Sequence, residues 1–487
     1  MVPSDDLIQK ILAIPSETRV LEFKQLGARN EGLDRTLESI VAMANTDGGL
    51  IFIGVEDPEK SARPGMTRIS GIEQNLELYD ELAKAVRNIS PPIPHLWNPD
   101  LVTVPTKNVR IALLRVPKVE DEFRSINNHV YTRLEKGNKR LSPQEIVHMA
   151  YVKGFRKADT ETVDVDTALL QTPAYEAWRT KRNLADEPIN DVLMKTGLVR
   201  RVDGQVKPTR AAVLLFAEHP SDLMETKCVI RVFQYEGSLE RVKDTLNLIG
   251  IPKTIEGSIV RQIRDAHEYI LGLLSTGIKV PSGFVTTYKI PERAVKEAIT
   301  NAVIHRDYHT KHDIEVRIFE DRVETESPGL LPFNITPSNI GLTRALGYRN
   351  DLLVKHLREF PEPPNLDQNE GVRAMRQTML DANLYPPIFV TYPHLQDSVR
   401  VVLLNESTPS EWDKISAYLT RNKYIANSEA RALLHVDDTV KVSKLFGKWV
   451  RLGLLKRIEP RSGAKRNVKY RLPATDETTL FTTPKSK

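Results

Sequence analysis

Glu297, Asn301 and His305 are spaced four residues apart, so a helix through them stacks a carboxylate, an amide and an imidazole in one row. Alongside run Ala294, Val295, Ala298, Ile299 and Ala302, an apolar seam that packs such a helix into a core. Polar groups at the edge of a core need partners, since each one buried unpaired costs about 1 to 3 kcal/mol. A bound metal ion and a phosphate group would supply them.

Positioning that row takes a large framework. A chain of 487 residues with 40% apolar content can bury several cores, about three domains of ordinary size. No stretch approaches the roughly 18 apolar residues of a membrane helix. The Met-Val-Pro-Ser-Asp-Asp start lacks the basic and apolar regions of a signal peptide, so a cytoplasmic protein is expected. Cys228 is the single cysteine, which excludes an intramolecular disulfide and a cysteine-rich metal site, and its apolar setting marks it as a core residue. The net charge of +5 is unevenly placed: from Glu411 onward 17 Lys/Arg face 8 Asp/Glu, a balance of +9 that leaves −4 on the first 410 residues. A basic C-terminal module of this kind points to nucleic acid.

The first 155 residues open with an amphipathic helix over Asp6 to Ile14 and an alternating strand over Glu17 to Lys24. A helix over Asp34 to Asn45 is ended by Thr46-Asp-Gly-Gly49, where glycine takes the positive φ of a helix C-terminus. Leu50 to Val55 reads as a buried strand, and His129-Val-Tyr-Thr-Arg133 and Ser142-Pro-x-Glu145 follow. This ordered set resembles the Schlafen/AlbA-type DNA-binding domain over residues 5 to 150. In the Schlafen branch, acidic residues near these positions bind metal and cut RNA; Glu17 and Glu22 stand at a similar spacing, with Asp57 as a third carboxylate. Carboxylates converging on a divalent ion would make a phosphodiesterase site. The other reading of Glu17 and Glu22 is structural, with Lys24 or Arg133 as their partners.

Residues 156–250 form a connecting region, a small helical unit (Asp191 to Arg200, Lys207 to Phe216) feeding a strand over Thr226 to Gln234. Glu256 to Leu274 reads as a helix with Val260, Ile263, Ala266, Ile270 and Leu273 in its core stripe. The helix bearing the polar row comes next, then a strand over Ile314 to Phe319, a turn at Glu320-Asp-Arg and a strand from Val323 toward Leu331. With Tyr348-Arg-Asn-Asp and Asn369-Glu-Gly-Val further on, this order closely resembles the divergent GHKL-type ATP-binding domain over residues 255 to 405. That superfamily includes gyrase, histidine kinases and heat-shock chaperones, and the two resemblances together indicate a family of ATP-binding transcriptional regulators.

The resemblance implies roles position by position. Asn301 would hold magnesium, and Glu297 would orient or deprotonate the attacking water if ATP is hydrolysed. His305 and Arg306 would contact phosphate. Pro328 and Gly329 would lie beneath the adenine, with Arg349 and Asn350 as further nucleotide contacts. Gly371 and Val372 would open a lid helix whose amides cradle phosphates. The chain departs from the family in carrying Ser327 where an Asp usually accepts from the adenine, and a lone Gly371 where a glycine pair is usual. ATP binding is therefore expected, and turnover is left open.

Asn405 to Ser410 reads as a polar linker. Beyond it, Ser410 is expected to cap a helix carrying Trp412, Ile415, Tyr418 and Leu419, and Asn427 or Ser428 to cap a second within Ile425 to Leu434. A third helix over Val440 to Leu452 precedes a hairpin around Arg461 to Arg466, a pattern that resembles a winged helix. Lys441, Lys444 and Lys448 would share one face for a major groove, and Arg461, Lys465 and Arg466 would tip the wing against phosphates. A solvated basic face on a protein-contact module is the alternative.

The expected architecture is an α+β multidomain chain: a Schlafen/AlbA-like α/β domain (1–155), the connecting region (156–250), a GHKL (Bergerat-type) α/β sandwich (251–405), a winged helix-turn-helix (411–473) and a flexible tail (474–487). The expected function is a nucleotide-responsive DNA-binding regulator with ATP and Mg2+ as cofactors, DNA as partner, homo-oligomeric and without a membrane span. The alternative is a metal-dependent nuclease effector gated by ATP, in defence against foreign DNA.

Overall fold

The computed structural model describes residues 4–27, 31–61, 63–119, 121–134, 136–224, 226–240, 247–277, 285, 287–331, 335–337, 339–345, 349–364, 371–391, 394–458 and 468–473. These residues form two compact units, 4–150 and 151–458 with 468–473. The first contains α1 (Ser4–Leu12), β1 (Leu21–Lys24), α2 (Glu31–Ala44), β2 (Gly49–Ile53), α3 (Leu76–Ala85), β3 (Asp100–Val104), β4 (Val109–Val116), β5 (Ser125–Ile126), β6 (His129–Arg133) and β7 (Asn138–Arg140). Its main sheet runs β1-β2-β4-β3, parallel only between β1 and β2, and β5-β6-β7 make a second sheet. The strand expected from Glu17 begins only at Leu21, because the Glu17 carboxylate folds back to accept from Phe23 N at 3.1 Å.

The Ala-Asn-Thr-x-Gly-Gly run is a joint. Asn45 donates to Arg124 O (2.8 Å) and Tyr131 O (3.0 Å) and accepts from Arg124 N (2.7 Å), tying the end of α2 to β5 and β6. Thr46 Oγ1 accepts from Arg133 N at 2.8 Å. Gly48 has φ +71°, and a Cβ there would meet Val116 O at 2.7 Å, so backbone geometry and space both require glycine.

Arg133 and Glu22 form a buried ion pair within this joint, and Lys24 adds a second cation 2.6 Å from Glu22. Removing one partner of a buried pair strands the other charge. Arg133→Met is therefore expected to destabilise the protein by about 3 kcal/mol, measured as a fall in the urea midpoint; an unchanged midpoint would show that the pair is dispensable.

Helix α4 (Pro143–Val152) leads into the second unit, which continues with α5 (Pro173–Lys181), α6 (Ile189–Thr196), β8 (Val199–Val202), β9 (Gln205–Pro208), α7 (Arg210–Phe216), α8 (Pro220–Leu223), β10 (Ile230–Gln234) and β11 (Lys253–Ile255). Then come α9 (Ile259–Thr276), α10 (Glu292–His305), β12 (Ile314–Ile318), β13 (Arg322–Pro328), α11 (Asp351–Leu357), α12 (Gly371–Asp381), β14 (Ile388–Val390) and β15 (Ser398–Leu404). A six-stranded sheet, β11-β10-β12-β13-β15-β14, is parallel only between β10 and β12. One core extends from Tyr151 and Trp178 through Phe216 and Ile263 to Val316 and Leu403, so the connecting region is continuous with the sheet and its helices. Cys228 belongs to this core as expected, and burial pushes its thiol up.

Strand alternation gives the sheet two unlike faces. On β13, Thr325 and Ser327 point toward α10, while Glu324 and Glu326 pair with Arg317 and Arg400 on the other side. His356 on α11 is fully buried between the Trp178 ring and Thr196 O (3.1 Å), and burial holds its pKa down at about 4. An unfolded histidine takes its proton near pH 6.5, so between the two values the unfolded state binds the extra proton and stability falls as pH falls. At pH 5 this one side chain is expected to account for a loss of about 2 kcal/mol. Urea midpoints at pH 7 and pH 5 would register it, and His356→Gln should show the shallower fall.

The C-terminal segment folds as α13 (Ser410–Arg421), β16 (Ile425–Ala426), α14 (Asn427–Leu434), α15 (Thr439–Arg451), β17 (Lys456–Ile458) and β18 (Lys469–Arg471), with an antiparallel sheet β16-β18-β17. Its caps differ from expectation. Ser410 is already helical behind Pro409, and Glu429 reaches back to Ala426 N (2.7 Å) where Asn427 or Ser428 was expected to cap. The expected linker is pinned: Asn405 bridges Lys289 N (2.7 Å) and Thr287 O (2.9 Å), and Thr408 N bonds Asn383 O at 2.8 Å. Among the described residues no helix is long and apolar enough to cross a membrane.

Candidate functional site

The expected row is present on α10, and the apolar seam beside it is buried. Glu297, Asn301 and His305 line one cavity of about 1000 Å³, together with Pro328, Gly329, Gly371 and Val372. Gly371, the first residue of α12, lies so close to the row that a Cβ would collide with Glu297 Oε2 and come within 3.5 Å of Asn301 Nδ2. The N-terminus of α12 thus covers the carboxylate and the amide.

Both polar groups are set up for a ligand. Asn301 Nδ2 is buried and has no hydrogen-bond partner among the described residues. Burial pushes the Glu297 carboxyl above its usual range, partly offset by the Arg293 guanidinium. His305 is held down at about 4 by burial, with Arg349 adding to the effect, so at neutral pH it is an uncharged imidazole.

Three residues assigned to the nucleotide by resemblance have other work. The last carbonyls of α10 have no partner within the helix, and side chains take them one after another. Ser327 Oγ donates to Ala302 O (2.7 Å), Tyr308 Oη to Val303 O (3.0 Å), Asn350 Nδ2 to Ile304 O (2.8 Å) and Arg306 O (2.8 Å), and Arg349 Nη1 to His305 O (2.8 Å). Arg349 Nη2 also reaches Leu330 O at 2.9 Å. Arg306 turns away from the cavity and donates to Lys227 O, Thr310 O (3.4 Å) and His312 O (2.5 Å). Arg349 and Asn350 therefore hold the end of the helix and Arg306 holds the loops beside it, and none of the three lines the cavity where a nucleotide contact was expected of them. Gly329, with φ +110°, is required by the Arg349 guanidinium, which occupies the space of a Cβ.

Sequence reasoning missed part of the cavity wall. Arg293 extends the row one turn before Glu297, a continuation of the same four-residue spacing. His267 on α9 contacts Lys296 O (3.1 Å) and Thr300 Oγ1 (3.2 Å) and has no counterpart in any motif. Tyr348, Asn369 and the wing residues Arg461, Lys465 and Arg466 lie outside the described residues, as does the tail.

In the first unit Glu17, Glu22 and Asp57 share an environment: burial and the charges of Glu22 and Asp57 push the Glu17 carboxyl up. Each also has a protein partner. Glu22 accepts from Ser39 Oγ (3.1 Å) besides its two cations, and Asp57 pairs with Lys60 at 3.0 Å. Among the described residues no group of three or more His, Cys, Asp or Glu side chains is arranged to hold a metal ion.

On α15, Lys448 pairs with Glu406 and Lys441 stands 3.9 Å from Glu411. The stripe opposite the buried Val442, Phe446 and Trp449 is Val440, Lys444, Gly447 and Arg451. Val440 is 60% exposed, and a Cβ on Gly447 would meet nothing within 4 Å.

Two family models match the chain. Residues 17–142 match "Schlafen, AlbA_2", and residues 311–403 match "Putative ATP-dependent DNA helicase recG C-terminal". The second match starts beyond α10, so Glu297 and Asn301 lie outside it. No curated protein matches the chain. Among solved structures, the DIP2311 protein of Corynebacterium diphtheriae is 18% identical with a TM-score of 0.39, over 91% of this chain and 92% of that one. The N-terminal domain of a Putative ATP-dependent DNA Helicase RecG-related Protein from Nitrosomonas europaea is 17% identical with a TM-score of 0.19, over 29% of this chain and 95% of that one. The chain is a mixed α/β multidomain protein with one region similar to the Schlafen, AlbA_2 model and one similar to an ATPase-like model.

Proposed function

We propose that this protein is a nucleotide-responsive DNA-binding regulator whose GHKL-like domain binds ATP and whose C-terminal winged helix, with the Schlafen/AlbA-like domain, binds DNA, in a homo-oligomer. One observation carries the reading: Glu297, Asn301 and Gly371 meet in a large cavity where the buried Asn301 Nδ2 lacks a partner among the described residues. The two family matches, to a nucleic-acid-associated and an ATPase-like model, support it.

The residues fit a magnesium nucleotide. Magnesium is usually held by one or two protein oxygens with phosphate and water completing the shell, so the Asn301 amide oxygen suffices. When bound, the ion would neutralise phosphate charge. Glu297, one turn away, would hold a water near the terminal phosphate, and its raised pKa suits a proton acceptor. His305 would serve as an uncharged donor. The helix start at Gly371 would offer backbone amides to phosphate oxygens.

A metal-dependent nuclease is the second reading, favoured by the mutual influence of Glu17, Glu22 and Asp57. Incubation with tRNA, single-stranded DNA and duplex DNA in Mg2+ or Mn2+ tests the choice. Salt-dependent duplex binding without cleavage supports the regulator. Cleavage that disappears in Glu17→Ala and Glu22→Ala would replace it with the nuclease.

A further inference from the structure

The C-terminal module shares a core with the wall of the cavity. Trp412, Ile415, Phe446 and Trp449 pack into one cluster with Tyr385, Val402 and Leu404, which belong to the central sheet and the turn before β14. Strand β15 divides its residues between the two: Val399 and Val401 line the cavity, while Val402 and Leu404 sit in the module's core. On β14, Phe389 lines the cavity and its neighbours Ile388 and Val390 pack against the module.

A second connection runs through α12. This helix of 11 residues, about 16 Å long, starts at Gly371 against Glu297 and Asn301. It ends tightly: Asn383 takes a left-handed conformation (φ 57°), and Leu384 N bonds Met379 O at 2.9 Å. The next residue is Tyr385, wholly buried, whose hydroxyl accepts from Trp449 Nε1 of α15 at 3.1 Å. Three residues therefore separate the far end of the helix, at Asp381, from a buried hydrogen bond to the basic helix.

We infer that Tyr385 is a positioning residue through which occupancy of the cavity is passed to α15. The inference rests on the nucleotide and DNA reading given above. Any ligand that pulls on Gly371 moves α12 as a rod, since its length is set by its own hydrogen bonds. Its far end can shift only together with Leu384 and Tyr385, and Tyr385 holds Trp449. Because Trp449 lies one residue from Lys448 and five from Lys444, a rotation of α15 about its buried side redirects the exposed stripe. The strand β15 supplies the fixed wall against which this movement is made. A ligand favours one arrangement only by binding it more tightly.

The test compares duplex affinity with and without ATP and magnesium in the full chain. In the wild type the nucleotide should change the duplex Kd by about 5-fold or more, the lower range of measured couplings. Tyr385→Phe, which removes only the hydroxyl, should bind ATP and duplex separately as the wild type does and lose the change. Trp449→Phe removes the same bond from the other side and should behave alike. Tyr418→Phe on α13, outside the connection, should keep the full response. Full response in Tyr385→Phe overturns the inference, as does a wild type that binds both ligands without coupling. A wild type that binds no ATP in calorimetry, or no duplex, fails at the functional reading itself, and the inference falls with it.

Discussion

Asn301→Ala is expected to lower magnesium-dependent ATP affinity by about 100-fold, in line with the loss of a metal ligand or its support, while leaving the thermal melting point in place. The two halves of this expectation have separate origins. Asn301 lines the cavity one turn after Glu297, and its Nδ2 has no partner among the described residues, so removing it breaks no hydrogen bond to them. A ligand that uses the amide loses its contact. Asn350→Ala is the matched control, because that asparagine holds Ile304 O and Arg306 O from a fully buried position. It should lose about 2 to 3 kcal/mol of stability and affect ATP only through the fold. Equal loss of affinity in both variants at temperatures where both are folded would remove Asn301 from the site.

Charge reversal at Lys444 and Arg451 together is expected to weaken duplex binding by about 10- to 100-fold and to flatten the salt dependence, since each phosphate contact contributes about 0.9 to the slope. These two cations stand on the outward stripe of α15. Lys448→Ala should matter less. This lysine stands off the outward stripe, and Glu406 beside its ammonium offsets part of the charge it could offer a phosphate. An anisotropy titration at several salt concentrations separates the variants; an unaltered slope in the double reversal would show that α15 does not face the phosphates.

The polar row was legible because helical spacing is a property of the sequence: once Glu297 to His305 is helical, its side chains must align. The apolar seam was legible for the same reason. What the sequence hid was the competition for polar partners. Arg306, Arg349 and Asn350 look like ligand contacts in a list of motifs, yet Arg349 and Asn350 bond the last carbonyls of α10 and Arg306 bonds carbonyls of the neighbouring loops. Whether an arginine meets a phosphate or a carbonyl depends on which residues from 44 or more positions away arrive beside it, as Arg349 does beside His305. The Asn405 to Ser410 stretch gives a second case. Proline and polar residues read as a linker, and local composition carries no sign that Asn405 would bridge two backbone groups near residue 288. In the first unit the glycines were readable from turn chemistry, whereas the Asn45 bonds to Arg124 and Tyr131 needed the fold.

The same distinction orders the candidate site. Glu297, Asn301 and Gly371 are brought together by α10 and α12, and their meeting was expected. Arg293 and His267 join them from outside the motifs. The sheet contributes a wall whose second side is the core of the C-terminal module, a relation that no stretch of sequence announces.

Calorimetric titration of the full chain with ATP, in the presence and absence of magnesium, tests the central claim most directly. Saturable binding that weakens markedly without magnesium, and by about 100-fold in Asn301→Ala, is the predicted result. Absence of binding under both conditions, or binding indifferent to magnesium and to Asn301, would contradict it.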